Sequence, residues 1–124
     1  MMTNRRQTTL VVIAALLLMP MAAPGAWAHA HLDHADPAIG STVATAPQEV
    51  ALWFTQNLEA AFSTVEVKDA NGAPVAQGNA QISGNTMRIG LSALKPGTYS
   101  VHWHAISVDT HATEGTFSFH VGNQ

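Results

Sequence analysis

The chain has 124 residues, of which 47% are hydrophobic and 10% charged, with no cysteine and a formal net charge of −3. An acidic chain of this kind is a poor partner for nucleic acid or for an anionic membrane surface. The lack of cysteine excludes disulfides and thiolate metal sites. The fold must therefore depend on packing, and any bound metal must be held mainly by nitrogen and oxygen donors.

The first 28 residues have the three-part layout of a secretory signal peptide. Arg5 and Arg6 form a basic head, an apolar run follows Leu10, and an Ala-Trp-Ala tripeptide stands directly before His29. The apolar run is shorter than the roughly 20 residues that a membrane-spanning helix needs. We predict that residues 1–28 are a signal peptide cleaved after Ala28, with export to the periplasm. An uncleaved anchor is the alternative, and the export route stays open.

Residues 29–124 are long enough for one domain with a modest core. Hydrophobic and polar residues alternate in five short runs bounded by turn residues, which is typical of β-strands. In the run "TYSVHWHAI", Trp103 and its apolar partners fall on one face, whereas His102 and His104 fall on the other. The alternation also places Met87 in the core. The predicted strands are 49–55, 63–69, 86–91, 98–106 and 115–121, of which the last two are expected to be long and central.

Turn signals between these runs refine the fold. Asn71-Gly72 suits a tight hairpin turn, and Pro96-Gly97 suits a type II turn. The segment 58–62 is expected to form a single helical turn. The spacing predicts an all-β, immunoglobulin-like Greek-key β-sandwich of two antiparallel sheets. A small, cupredoxin-like closed barrel is the alternative.

Three histidines stand together at the start of the mature chain, in the segment "AWAHAHLDH". Cleavage after residue 28 would give His29 a free α-amine beside its imidazole, and the two nitrogens can chelate one metal ion. Among available divalent ions such donors favour Cu(II). His31 offers a rival site, because an amine followed by two residues and a histidine can wrap Cu(II) with deprotonated backbone amides. His34 is expected to be a solvated loop histidine.

The segment "SVDTHATEG" supplies Asp109 and His111 at the end of a predicted strand. In an extended segment, side chains two residues apart point to the same side. The Asp109 carboxylate and the His111 imidazole could therefore converge on one ion. In a sandwich this strand end could lie beside the N-terminus, although spacing alone does not establish it. His102 and His104 could form a second, weak metal site, but two exposed histidines on a sheet face are the simpler interpretation. Trp53 and Trp103 are expected in or near the core.

The sequence resembles the CopC family of periplasmic copper-binding proteins. The resemblance spans residues 29–121 and rests on "HAHLDHADPAIGS", "VALWFTQNL" and, above all, "KPGTYSVHWHAISVDTHATEGTFSFHV". It implies one Cu(II) ion per mature chain, held by the amine and imidazole of His29 and by Asp109 and His111. It also implies a CopD-type inner-membrane copper transporter as a possible partner.

Two departures from the family pattern bear on the chemistry. Some members bind Cu(I) through a methionine-rich loop, whereas Met87 is the single methionine after residue 28. Soft thioether ligation of Cu(I) is therefore not expected. Gln56 stands where the family often has an acid, so a carboxylate that would orient a ligand is replaced by an amide.

We therefore predict a monomeric, non-catalytic periplasmic protein that sequesters, buffers or delivers copper. An oxidative copper enzyme with an N-terminal histidine brace is one alternative, although a carboxylate in the coordination plane and a small domain argue against it. A β-sandwich interaction module with incidental histidines is the other, because this fold serves many functions.

Overall fold

The computed structural model describes residues 30–123, and all regular structure in that range is β. His29 and the predicted signal peptide lie outside the described residues. Within that range no helix is long and apolar enough to cross a membrane. The strands are Leu32–Asp36 (β1), Thr42–Val43 (β2), Glu49–Phe54 (β3), Thr64–Lys68 (β4), Ala76–Ser83 (β5), Thr86–Leu91 (β6), Gly97–Ile106 (β7) and Ala112–Val121 (β8).

The strands form two four-stranded sheets that pack face to face. The first sheet has the order β1-β3-β6-β5 and the second has the order β2-β8-β7-β4. Neighbours pair antiparallel except β2 and β8, which are parallel. Most consecutive strands lie in different sheets, so the chain crosses the sandwich repeatedly, and only β5–β6 and β7–β8 are consecutive partners. The predicted β-sandwich is confirmed, as are the length and central position of β7 and β8.

The core lies where the inner faces of both sheets meet, and its residues follow the predicted alternation. Met87 is completely buried, as predicted from its position in β6. Phe54 of β3 meets Trp103 of β7 edge to face, with ring centroids 5.1 Å apart. The Trp103 ring also covers Gly115, where a Cβ would stand only 2.6 Å from the ring. The fold therefore requires a residue without a side chain at that position of β8.

Three features differ from the sequence prediction. Strands β1, β2 and β5 were not expected, and β5 has a polar composition and a mostly exposed surface. The segment 58–62 is a turn and bridge segment and not a helical turn. Trp53 is half-buried on the outer face of its sheet, where it stacks on His34. The period-two pattern of β3 explains this, because Trp53 alternates with the inward-facing Leu52 and Phe54.

One end of the sandwich gathers the segments that matter for function, and we call it the site end. It contains residues 30–31, the loop 55–63, the turn at 84–85 and the loop 107–111. Short main-chain contacts tie these segments together: Glu59 donates to the Ile106 carbonyl at 2.7 Å, and Leu58 donates to the Gly84 carbonyl at 2.9 Å. The loop 55–63 is therefore bonded both to the end of β7 and to the turn at 84–85.

Candidate metal centre

The loop from Ser107 to His111 is a closed turn between the two long strands. The Thr110 amide donates to the Ser107 carbonyl at 2.8 Å, and the Ser107 amide donates to the His111 carbonyl at 3.0 Å. The Val108 amide donates to the Asn57 carbonyl at 3.1 Å, which fastens the turn to the loop 55–63. These bonds fix the backbone of both candidate ligands in this loop.

Asp109 and His111 are brought together by this turn. Oδ2 of Asp109 lies 3.4 Å from Nδ1 of His111, and both side chains are partly exposed, at 36% and 52%. Two atoms bound to one ion by bonds of about 2.0–2.2 Å stand roughly 3 Å apart. The pair is therefore near the spacing of adjacent ligands on a metal ion.

The electrostatics of the pair favour an ionised carboxylate. The Ser107 hydroxyl donates a hydrogen bond to Oδ1 of Asp109. That bond holds the pKa of Asp109 below its ordinary value, and partial burial opposes it, while His111 contributes further in the lowering direction. A carboxylate that stays ionised is available as a metal ligand across neutral and mildly acidic pH.

Asp109 and His111 were predicted to lie on the same side because the segment between them was expected to be extended. The two side chains do meet, but the expected reason was wrong. Residues 108–110 are not part of a strand, and Thr110 has φ of +71°. A β-branched residue in the left-handed region is an outlier that costs about 1–3 kcal/mol. The pair meets because the turn reverses the chain, and the surrounding main-chain bonds hold the strained residue.

The first described residue of the chain is anchored at the same end. Ala30 is fully buried, and its carbonyl accepts a hydrogen bond from the Thr113 hydroxyl of β8 at 2.6 Å. Thr113 lies two residues after His111, and its side chain faces the interior. The segment that follows His29 is therefore attached to the strand that follows the Asp109–His111 pair.

His31 is held by the other sheet. Its amide donates to the Thr55 hydroxyl at 3.0 Å, and its carbonyl accepts from the Thr55 amide at 2.9 Å. A copper site made by wrapping the N-terminal segment needs the amide nitrogen of His31 as a ligand, so it would break the first of these bonds. The His31 side chain is exposed.

The remaining histidines lie on outer faces of the sheets. His34 belongs to β1 and not to a loop, stacks on Trp53 at 4.5 Å and pairs with Asp33 at 2.7 Å. His102 pairs with Glu114 at 2.9 Å on the outer face of the second sheet. His104 is half-buried on that face, and His120 contacts the Thr98 hydroxyl at 3.0 Å.

Within residues 30–123, no three His, Asp or Glu side chains stand close enough to hold one metal ion. His102 and His104 are therefore not part of any such group of three in the described residues. In the described residues Asp109 and His111 thus form a pair of adjacent candidate donors. The third predicted ligand, His29, lies outside the described residues.

Three further residues have roles at this end that the sequence did not assign. Ser107 contacts Asp109, whereas Thr55 and Thr113 fix the segment 30–31. Ser107 belongs to the motif around Asp109, and a hydroxyl two residues before a candidate ligand was the available signal. No local pattern pointed to Thr113, which is separated from Ala30 by 83 positions.

Comparisons with known proteins agree with this fold. The CopC domain model matches residues 32–122. Among curated proteins, the chain is 37% identical over 111 residues to Protein YobA of Escherichia coli K12, covering 86% of this chain and 90% of YobA. It is 34% identical over 131 residues to Copper resistance protein C of Pseudomonas syringae pv. tomato, covering 98% and 99% of the two chains.

A longer relative and two solved structures are also similar. The chain is 25% identical over 123 residues to the Copper transport protein CutJ of Bacillus subtilis, matching 96% of this chain but 22% of CutJ. CopC from Methylosinus trichosporium OB3b superposes with a TM-score of 0.69 at 30% identity, covering 77% of this chain and 96% of that one. PcoC of Escherichia coli, a methionine-rich copper resistance protein, gives 0.68 at 33% identity, covering 76% and 99%.

Proposed function

Because the chain belongs to the CopC family and is a copper-binding copper resistance protein, we propose that it holds one Cu(II) ion through His29, Asp109 and His111. His29 supplies its α-amine and imidazole, Asp109 a carboxylate oxygen and His111 an imidazole nitrogen. The bound ion is cargo, which the protein sequesters, buffers or delivers without chemical turnover.

The observation that carries this proposal is the pairing of Asp109 and His111 beside the anchored start of the domain. The two donor atoms stand 3.4 Å apart, and Ala30 is bonded to the strand that leaves their turn. Ala30 is the immediate sequence neighbour of His29, and consecutive Cα atoms are about 3.8 Å apart. That proximity supports a site completed by His29.

The site requires that His29 be the first residue of the mature protein. We propose that residues 1–28 are a signal peptide removed after export, that the mature domain is 29–124, and that the protein works in the periplasm. An internal His29 would have an amide where the amine should be, and a neutral amide nitrogen is a poor ligand. Signal cleavage is then the step that creates the copper site.

Nitrogen and oxygen donors favour Cu(II), and the affinity order of divalent ions places copper above its competitors. Cu(I) prefers soft sulfur ligands. Met87 is fully buried in β6, so its thioether is not accessible at the surface. The contrast with methionine-rich PcoC supports Cu(II) as the ion that this chain binds.

The contacts of His31 argue against the rival site. Wrapping Cu(II) at the terminus would take the amide hydrogen of His31 away from the Thr55 hydroxyl and would detach the segment from the first sheet. The folded site of His29, Asp109 and His111 leaves these bonds intact. The fold therefore favours the folded site.

The relatives whose names state a role are named copper resistance or copper transport proteins. An oxidative enzyme would need an open copper position and a substrate surface, whereas Asp109 occupies one position of the proposed site. Incubation with reductant, peroxide and polysaccharides distinguishes the two, because a copper-dependent oxidised product would identify an enzyme. A plain interaction module would bind no copper at all.

We propose a CopD-type inner-membrane transporter as the acceptor of copper from a monomeric protein. The supporting observation is that a region similar to this chain makes up 22% of the copper transport protein CutJ. Joining a copper-binding domain to a transporter raises the effective concentration of one near the other. A separate chain would reach the same partner by diffusion.

The direct test is a Cu(II) titration of protein that begins at His29, followed by electron paramagnetic resonance (EPR). We expect one equivalent of Cu(II) with a tetragonal spectrum showing nitrogen coupling. Zinc(II) should compete more weakly. Failure to bind copper with the native N-terminus would refute the proposed site.

Copper affinity should fall steeply as the pH drops through about 6, since imidazole and amine must lose protons before they bind a metal. Asp109 does not drive this loss, because its pKa is lowered and its carboxylate stays ionised in that range. With several nitrogen ligands, the apparent affinity should fall by more than about one decade per pH unit. Competition titrations between about pH 7 and 4 measure it, and a flat profile would contradict imidazole ligation.

Replacing Thr113 by valine should weaken copper binding by about tenfold, the lower end of the range for lost supporting hydrogen bonds around metal sites. Thr113→Val keeps the shape of the side chain but removes the donor to the Ala30 carbonyl, so the start of the domain loses its fixed position. Thr116→Val, on the outer face of the same strand, is the matched control. Equal copper affinity in the two variants would show that this anchor does not position the site.

A further inference from the structure

Ser107 is completely buried at the end of β7 and faces the turn that contains both described donor residues. Among the described residues, two acceptors lie within hydrogen-bond distance of its hydroxyl: Oδ1 of Asp109 and the His111 carbonyl, the latter at 3.2 Å. A serine hydroxyl has one hydrogen to donate. It therefore serves one acceptor fully at a time.

The charged acceptor is the stronger one, because hydrogen bonds to a carboxylate are about twice as strong as those between neutral groups. The His111 carbonyl already accepts from the Ser107 amide at 3.0 Å. Donation to Asp109 therefore leaves both acceptors satisfied. The hydroxyl is thus assigned to Oδ1 of Asp109.

The turn does not need this hydroxyl for its closure. Main-chain bonds from Thr110 to Ser107 and from Ser107 to His111 already close it, at 2.8 and 3.0 Å. The side chain of Ser107 therefore acts on the carboxylate and not on the path of the backbone. With Oδ1 held by Ser107, Oδ2 is the oxygen that faces Nδ1 of His111 at 3.4 Å.

We propose that Ser107 is a positioning residue that presents Asp109 to copper through Oδ2 alone. The inference rests on the proposed function, since it assumes that Asp109 is a ligand. The hydrogen bond to Oδ1 opposes rotation of the carboxylate and leaves Oδ2 as the preferred donor, so Asp109 takes a single position in the coordination plane. Ser107 thereby stabilises a four-ligand tetragonal arrangement, which Cu(II) prefers.

The test compares Ser107→Ala with Ser63→Ala by Cu(II) affinity and EPR. Ser63 is also buried, at 5% exposure. Its hydroxyl accepts a hydrogen bond at 3.0 Å from the amide of Ile106, the last residue of β7. Both variants lose a buried hydroxyl near the same strand end. We expect Ser107→Ala to lose about 10–100-fold in affinity and to show changed copper hyperfine values, whereas Ser63→Ala keeps both. A wild-type spectrum and affinity in Ser107→Ala would overturn the inference.

Two further variants keep the test decisive. Ser107→Thr retains the hydroxyl and should retain the wild-type spectrum and affinity. If this variant folds but loses affinity and changes its spectrum as expected for Ser107→Ala, the inference is contradicted. In an Asp109→Ala background, Ser107→Ala should cause no further loss of copper affinity, because its effect passes through that carboxylate. If Asp109→Ala itself leaves binding unchanged, the proposed copper site fails. If Asp109→Ala abolishes binding while Ser107→Ala does not alter it, only the role of Ser107 fails.

Discussion

A single glycine placed before His29 is expected to lower Cu(II) affinity by on the order of a hundredfold or more. Loss of a partner that only orients a ligand costs about 10–100-fold, and here a direct ligand, the α-amine, would become an amide. The side chains and the folded domain stay the same. Competition titrations and EPR on the two proteins, each with a defined N-terminus, measure the difference.

The matched control adds the same glycine after Gln124, which leaves the N-terminus intact and should change nothing. Replacing His29 by alanine removes the imidazole but keeps an amine, and it should cause a comparable loss. Equal affinity for the native and extended proteins would move the site away from the terminus.

The strands that could be predicted from sequence are those whose two faces differ in burial. In β7 the inward residues Tyr99, Val101 and Ala105 are at most 5% exposed, while His102 lies on the open face. The period-two alternation of hydrophobic and polar residues follows directly from that difference in burial. Strand β5 shows no such alternation, because it lies at the edge of its sheet and most of its residues are exposed.

The candidate site was predictable in its donors but not in its construction. Asp109 and His111 were recognisable from donor type and short spacing, and they do meet. They meet because of the strained turn at Thr110 and the main-chain hydrogen bonds that close it. Neither the turn nor these bonds can be recognised from composition or from hydrophobic alternation. Anchoring of Ala30 by Thr113 is a long-range contact of the folded sandwich, so local sequence rules cannot reach it.

Replacing Asp109 or His111 by alanine is expected to lower Cu(II) affinity by on the order of a hundredfold each, because each variant removes a direct ligand. The thermal midpoint should move little, since both side chains are partly exposed, at 36% and 52%. His120→Ala, an exposed histidine of β8 at the opposite end of the sandwich, is the matched control and should bind copper normally. EPR and competition titrations on protein beginning at His29 provide the measurement.

The double variant separates the folded site from the rival at His31. Three residues that bind one ion act as a unit. The binding free energy lost in the double variant Asp109→Ala, His111→Ala should therefore be smaller than the sum of the losses in the two single variants. Wrapping at the terminus uses neither residue, and in that case both single variants would bind like the native protein while His31→Ala would lose copper. Loss in the Asp109 and His111 variants with full binding in His31→Ala would identify the folded site, because only there do donors 80 or more positions apart in the sequence depend on one another.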